Sequence, residues 1–370
     1  MLPKLIVALL LICVRADDPL APPADPKSPE QIRLSLDEQL NFVVTWSTQQ
    51  VTKQSIVQYG ASESELTGQT EGKQTNFTEP ATKRFTQSIH RATLLGLAPK
   101  TRYYYRCGDG EKWSRTLSFN TFPKGSNWPV RFTTYGDLGL FNAQSLPRLI
   151  QETEAGHFDA VLHVGDFAYD MISNNSTRAD KFLRQIEPIA GRIPYLTCPG
   201  NHENSFNFSN YRARFSMPNQ QNMFYSVNIG PVHFISINTE YYYFPQYGID
   251  QIYQQYNWLK ADLETANKAE NRAKQPWIIT MGHRPMYCSN ANFDDCTFYH
   301  RDIIRTGLPV IHWYGLEKLF YDNGVDLELW AHEHSYERLW PIYDLKVYNG
   351  SLQRPYTNPG APVHVITGSA

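Results

Sequence analysis

Past residue 14 the chain has no apolar run approaching the roughly 20 residues that an α-helix needs to cross a bilayer. The one compact apolar run, residues 5–14, follows Lys4 and gives way to Val14-Arg15-Ala16. That is the form of a secretory leader cut after Ala16, which predicts a soluble mature chain. Charge of one sign is missing too: 34 Lys and Arg against 36 Asp and Glu leave a net charge of −2, with no basic run. This argues against nucleic acid as a dedicated partner, since such binding rests on clustered cations. Cysteine is scarce, 5 in 370 residues, so neither a disulfide-dense scaffold nor a Cys-rich zinc module is expected. No internal repeat or low-complexity tract stands out. What is present is a chain with 14% aromatic residues and enough length for two cores.

Five short segments carry the chemistry: Gly136-Asp137-Leu138-Gly139, Gly165-Asp166-Phe167-Ala168-Tyr169, Gly200-Asn201-His202-Glu203, Gly282-His283 and Ala331-His332-Glu333-His334. Each follows a run that reads as a buried strand, at 130–135, 160–164, 193–196, 277–281 and 325–330. Helical stretches lie between, around 146–154, 181–186 and 255–270. In a sheet wound this way, side chains at the carboxyl ends of several strands converge on one crevice. Asp137, Asp166, Tyr169, Asn201, His283, His332 and His334 offer oxygen and imidazole nitrogen without thiolate, a mixture suited to Fe, Mn or Zn. Asp166 has two carboxylate oxygens with which to bridge metals roughly 3.5–4 Å apart. A lone Gly-Asp after a strand more often caps a helix. Five such segments in this order do not reduce to caps.

With these segments the chain resembles the calcineurin-like metallophosphoesterases and, within them, the purple acid phosphatases. Tyr169 is the discriminating residue: in that family its position is a phenolate bound to iron(III) and the source of the colour. The stretches 282–288 and 331–338 resemble the larger animal members, iron/zinc purple acid phosphatase-like proteins with an N-terminal fibronectin-like domain. The resemblance implies Fe(III) on Asp137, Asp166, Tyr169 and His334. It implies a divalent ion (Zn, Fe or Mn) on Asp166, Asn201, His283 and His332, with His202 facing the substrate as a general acid. The implied reaction is hydrolysis of a small phosphate monoester, with metal-bound hydroxide displacing the alcohol in line. A phosphodiesterase or nucleotide pyrophosphatase on the same scaffold is the enzymatic alternative. The chain stops at Ala370, just after an apolar strand at 363–366, where family members continue. This implies a C-terminally incomplete catalytic domain, and an inactive glycoprotein is the third reading. Plant relatives place further histidines beyond the segment matching His283, where this chain offers only His300.

The expected organisation is a leader at 1–16, a Pro-rich stretch at 17–29, an all-β module at 30–122, a linker at 123–129 and the catalytic domain at 130–370. The fold class is therefore an α/β (α+β) metallophosphoesterase domain, a ββ sandwich flanked by helices, behind a fibronectin type III-like domain. Residues 97–103 resemble the tyrosine-corner segment of such domains. The module reads as a packing partner without substrate contact. Sequons at Asn76, Asn174, Asn175, Asn207 and Asn349 accord with a secreted or lysosomal glycoprotein; the overlapping 174/175 pair takes one glycan at most. Without Cys13, three pairings of Cys107, Cys198, Cys288 and Cys296 are open, and the short polar loop between Cys288 and Cys296 favours a local bond. His163 and His233 lie inside strand runs and read as core histidines. Glu203 and Glu333 are candidates to support the ligand histidines, with structural roles as good an account. Monomer and homodimer are both compatible with the sequence.

Overall fold

The computed structural model describes residues 20–219, 222–291, 293, 295–298 and 300–370; the leader expected at 1–16 lies outside them. Eight strands come first: β1 (Glu30–Leu36), β2 (Phe42–Thr48), β3 (Ile56–Gly60), β4 (Gly68–Glu71), β5 (Lys73–Thr78), β6 (Phe85–Leu94), β7 (Arg102–Gly108) and β8 (Leu117–Asn120). They pair antiparallel into two sheets, ordered β1-β2-β6-β5 and β4-β3-β7-β8. Phe42 of one sheet stacks on Phe119 of the other at 4.5 Å between ring centroids, and Trp46 is buried against His90. The Tyr103 hydroxyl accepts the Ala98 amide at 3.0 Å, closing the corner expected from residues 97–103.

The rest of the chain alternates strands with helices. In order they are β9 (Phe132–Tyr135), α1 (Leu146–Glu154), β10 (Ala160–Val164), α2 (Thr177–Ala190), β11 (Tyr195–Cys198), α3 (Ser205–Arg214), β12 (Tyr225–Ile229), β13 (Val232–Ser236), α4 (Asp250–Ala266), α5 (Ala269–Arg272), β14 (Trp277–Met281), α6 (Ile303–Thr306), α7 (Leu316–Asp322), β15 (Leu327–Trp330), β16 (Tyr336–Arg338), β17 (Ile342–Tyr343), β18 (Lys346–Val347) and β19 (Val363–Thr367). Strands β11-β10-β9 form a parallel sheet; β12-β13-β14-β15-β19-β16 form a second, parallel except at its two edges. The sheets meet where Phe132 packs near Phe234 and where Gly136 N–H donates to Thr367 carbonyl at 2.9 Å. All five residues of β10 are buried, as a parallel strand covered on both faces requires.

Helix α2 outruns the stretch expected from sequence. Its buried face of Ala179, Phe182, Leu183, Ile186, Ile189 and Ala190 keeps helical spacing through the last turn, where Pro188 is accommodated. The opposite demand on α2 comes from the β-module. Glu30 pairs with Arg184, Ile32 N–H donates to Glu187 Oε2 at 3.1 Å, and Tyr105 hydroxyl donates to Gly191 carbonyl at 2.8 Å. Arg91 and Thr45 both reach Ser216, just beyond α3. One continuous hydrophobic core spans the β-module and the two sheets behind it.

Candidate metal centre

Four of the candidate ligands sit at the second residue past their strand: Asp137 after β9, Asp166 after β10, His283 after β14 and His332 after β15. Asn201 follows β11 by three. The residue between strand and ligand must be small. At Gly165 a Cβ would lie 2.4 Å from His283 Nδ1, and at Gly200 one would lie 2.2 Å from Asp166 Oδ1. The ligands themselves carry left-handed backbone, with φ of 58° at Asp137, 51° at Asp166, 50° at Tyr169 and 66° at His332. Such conformations each cost of order 1–3 kcal/mol and persist where surrounding contacts hold them.

Those contacts are visible. Glu203, buried at 2% exposure, accepts the backbone N–H groups of Asp166 (2.9 Å), Phe167 (3.1 Å) and Gly200 (2.9 Å). The Asp137 carboxylate accepts the His332 amide at 2.9 Å, and the Asp166 carboxylate accepts the His202 amide at 3.0 Å. Two sets of donors result. In the first, Tyr169 hydroxyl lies 2.7 Å from His334 Nε2 and 3.4 Å from Asp137 Oδ1, and His334 Nε2 lies 3.4 Å from the same oxygen. In the second, His283 Nε2 lies 3.1 Å from Asn201 Oδ1, 3.3 Å from His332 Nδ1 and 3.4 Å from Asp166 Oδ2. Ligand atoms of Asp166, His283 and His332 fall within 4.8 Å of one another. The structure thus brings together all seven candidates. Two carboxylates, three imidazoles, an amide oxygen and a phenol, with Asp137, Asp166 and His283 buried, Tyr169, Asn201 and His332 half-buried and His334 exposed, fit a pair of hard or borderline cations.

Comparison with known proteins follows from this geometry. Residues 29–121 match the purple acid phosphatase N-terminal domain, and residues 130–336 match the calcineurin-like phosphoesterase domain. Acid phosphatase type 7 from Homo sapiens is 50% identical over 365 residues, covering 98% of this chain and 82% of the human one. This chain belongs to the purple acid phosphatases. The mouse (Mus musculus) acid phosphatase type 7 is 52% identical, covering 93% of this chain and 78% of its own. Among solved structures, the purple acid phosphatase PPD1 from yellow lupin (Lupinus luteus) superposes with a TM-score of 0.74 at 25% identity, covering 94% of this chain and 65% of the lupin one. The family is a dimetal one.

The electrostatics of this purple acid phosphatase describe a site short of positive charge. Burial alone would lower the His283 pKa, but the carboxylates of Asp166 and Asp137 outweigh it and push it up to about 10. Burial raises the Asp137 carboxyl, and it raises the Tyr169 phenol well above its usual value, with Asp137 and Asp166 adding to the effect. Asp166 moves the other way: although burial opposes it, the neighbouring His283 holds it below the usual carboxylate range. A cation here would satisfy every one of these groups and take the place of their protons.

Other expectations sort themselves by contact. His163 is a core histidine, fully buried with Nδ1 2.6 Å from Tyr195 hydroxyl, while its Nε2 has no partner among the described residues. His233 has both nitrogens bonded, to Asn228 and Asp262. Glu203 serves backbone amides rather than a histidine; Glu333 accepts from Asn290, and its Oε1 lies 3.2 Å from the Cys296 sulfur. Cys288 and Cys296 form the local disulfide, and Cys107 and Cys198 are free and buried. His300 is exposed. Sequence reasoning missed Asp170, whose Oδ1 lies 2.9 Å from His202 Nδ1, and Arg284, which lies 3.1 Å from His332 Nε2 and bonds Glu240 and Asp295. Each is the chain neighbour of a ligand, which was the available signal.

Proposed function

We propose that phosphate-monoester hydrolysis by this purple acid phosphatase runs on Fe(III) held by Asp137, Asp166, Tyr169 and His334, and a divalent ion held by Asp166, Asn201, His283 and His332, Asp166 bridging. The observation that carries this reading is the Tyr169 hydroxyl, 2.7 Å from His334 Nε2 and beside Asp137, a phenol among hard donors. When bound, the two cations supply Lewis acidity, activating water and offsetting charge on the phosphate.

The chain's own residues supply the rest. His202 is held at three points: its amide on Asp166, its ring 4.6 Å from the Tyr169 ring, and Nδ1 on Asp170. With Nδ1–H donated to a carboxylate, Nε2 is the nitrogen left to pass a proton to the departing alcohol. His202 is half-buried, and the β-module lends no candidate ligand to the site.

Module boundaries at 30–122 and 130–370, a cleaved leader at 1–16 and a secretory or lysosomal route belong to the same proposal. The exposure of Asn76, Asn174 and Asn175 supports glycans there; Asn207 and Asn349 are half-buried. No helix among the described residues is long and apolar enough to cross a membrane. The deciding experiment is a visible spectrum with metal analysis on wild type and Tyr169→Phe. A band lost in the variant supports the iron–phenolate reading; iron-free, colourless wild type from an iron-supplied host overturns it. Turnover of a diester in preference to a monoester would move the activity to the phosphodiesterase alternative.

A further inference from the structure

We infer that Asp295 is a positioning residue for the divalent ion: it holds the outer edge of the His332 ring, and the Cys288–Cys296 disulfide keeps it there. The inference rests on the ligand assignment proposed above, in which His332 serves the divalent ion together with Asp166, Asn201 and His283.

The two nitrogens of His332 face different neighbours. Nδ1 lies 3.3 Å from His283 Nε2, within the second donor set. Nε2, across the ring, lies 3.1 Å from Arg284 Nη1 and 3.6 Å from Asp295 Oδ2. A neutral imidazole carries one proton. With Nδ1 given to a cation, that proton sits on Nε2 and needs an acceptor. Arg284 cannot be one, because a guanidinium only donates. Asp295 can. A carboxylate on the outer N–H of a ligating imidazole fixes the ring and makes it a better donor to the metal. Both side chains are nearly closed to solvent, 11% exposed at His332 and 12% at Asp295, so water screens the pair little.

Two further features hold Asp295 at this point. Arg284 pairs with it, and Arg284 is itself fixed: its Nε donates to the buried Glu240 Oε2 at 2.9 Å, and its guanidinium carbon lies 4.3 Å from the Tyr243 ring centroid. The second feature is covalent. Asp295 directly precedes Cys296, whose disulfide partner Cys288 is the fifth residue past His283. Residues on either side of that bond also lie along the segment that follows His332. Ser289 N–H donates to Glu337 Oε2 at 3.0 Å, Asn290 bonds Glu333, and the Cys296 sulfur lies 3.2 Å from Glu333 Oε1. Both histidines of the second donor set are then placed from the end of β14: His283 directly, and His332 through the disulfide and Asp295.

The test uses iron-loaded protein with zinc as the divalent probe, zinc affinity being read by chelator competition and the other site by iron content. Asp295→Ala removes the acceptor and should weaken zinc by roughly 10–100-fold with iron content unchanged. Asp295→Asn keeps an acceptor oxygen and should lose less. The double variant Cys288→Ser/Cys296→Ser should weaken zinc in the same direction. Adding Asp295→Ala to it should cost no more than Asp295→Ala alone, because both changes act through one contact. Zinc affinity of Asp295→Ala within about twofold of wild type overturns the positioning role, as does a parallel loss of iron. An Asp295→Asn loss equal to that of Asp295→Ala assigns the effect to charge alone and also overturns it. Additive losses in the triple variant overturn the tether. If Asp295→Ala does not fold, the double cysteine variant decides, and zinc affinity within about twofold of wild type there overturns the inference. Failure of the ligand assignment looks different: wild type itself then binds no zinc beside its iron.

Discussion

Glu203→Gln changes one atom in a buried side chain and should damage the site severely. The wild-type carboxylate accepts three backbone N–H groups, those of Asp166 and Gly200 on Oε2 and that of Phe167 on Oε1. Burial pushes its pKa well up, with Asp166 adding to the rise, while the Gly200 and Phe167 amides pull it back. A carboxamide has one oxygen. Its least costly orientation keeps that oxygen on the Asp166 and Gly200 amides and turns its NH2 against Phe167 N–H. One hydrogen bond is lost and one buried donor is left unsatisfied, together roughly 2–4 kcal/mol. In a chain of this size that lowers the thermal midpoint by roughly 3–5 °C. The damage is also local: Asp166, at φ 51°, loses the contact that holds its strained backbone, and divalent affinity should fall by roughly 10–100-fold. Differential scanning calorimetry of the metal-free variant and a chelator competition for zinc measure the two effects separately. A midpoint within 1 °C of wild type (about the reproducibility expected for shifts of this kind) together with unchanged zinc affinity would refute the argument that Glu203 holds the ligand backbone.

Three further outcomes follow from the geometry. His202→Ala should slow alkyl phosphates by roughly 10²–10⁴-fold and p-nitrophenyl phosphate far less, since a good leaving group needs no proton; equal losses on both would remove the general-acid role. His283 has a folded pKa raised from 6.5 to about 10, so in metal-free protein its ion pair adds stability below pH 6.5, lost as pH rises towards 10. Thermal midpoints of chelated protein should therefore fall across that window, and metal-loaded protein, whose His283 is held without the proton, should show a flatter profile. Tyr105→Phe leaves the Gly191 carbonyl without its donor and should cost roughly 1–2 kcal/mol in urea denaturation with turnover number nearly unchanged.

The ligand strands were legible because parallel strands covered on both faces are continuous apolar runs; β10 and β14 fall at the residues expected from sequence. The candidate ligands could be picked out because each follows such a run within two to five residues. The length of α2 was not: the expected stretch was 181–186, yet the buried face carries the helix from Thr177 to Ala190. Asp170 and Arg284 escaped because an exposed aspartate and an arginine beside a ligand have no periodicity of their own. Their meaning lies in where His202 and His332 point, which depends on backbone conformations such as φ 69° at Asp170 that no spacing encodes. The contact of Glu203 with three amides was equally hidden, since a glutamate three residues past a glycine more often closes a helical turn.

The seam between the β-module and α2 has a consequence for how defects in this enzyme would be read. Glu30, Ile32 and Tyr105 grip one side of α2 and the turn after it, while the first turn of the same helix carries Arg178, whose Nη1 grips Tyr169. The β-module, although none of its residues is a candidate ligand, works as a splint for the wall that bears the phenol. A lesion in β1 would then surface as weakened metal retention in a protein that still folds. Such a variant would be mistaken for one with a damaged active site, although the altered residue lies in another sheet.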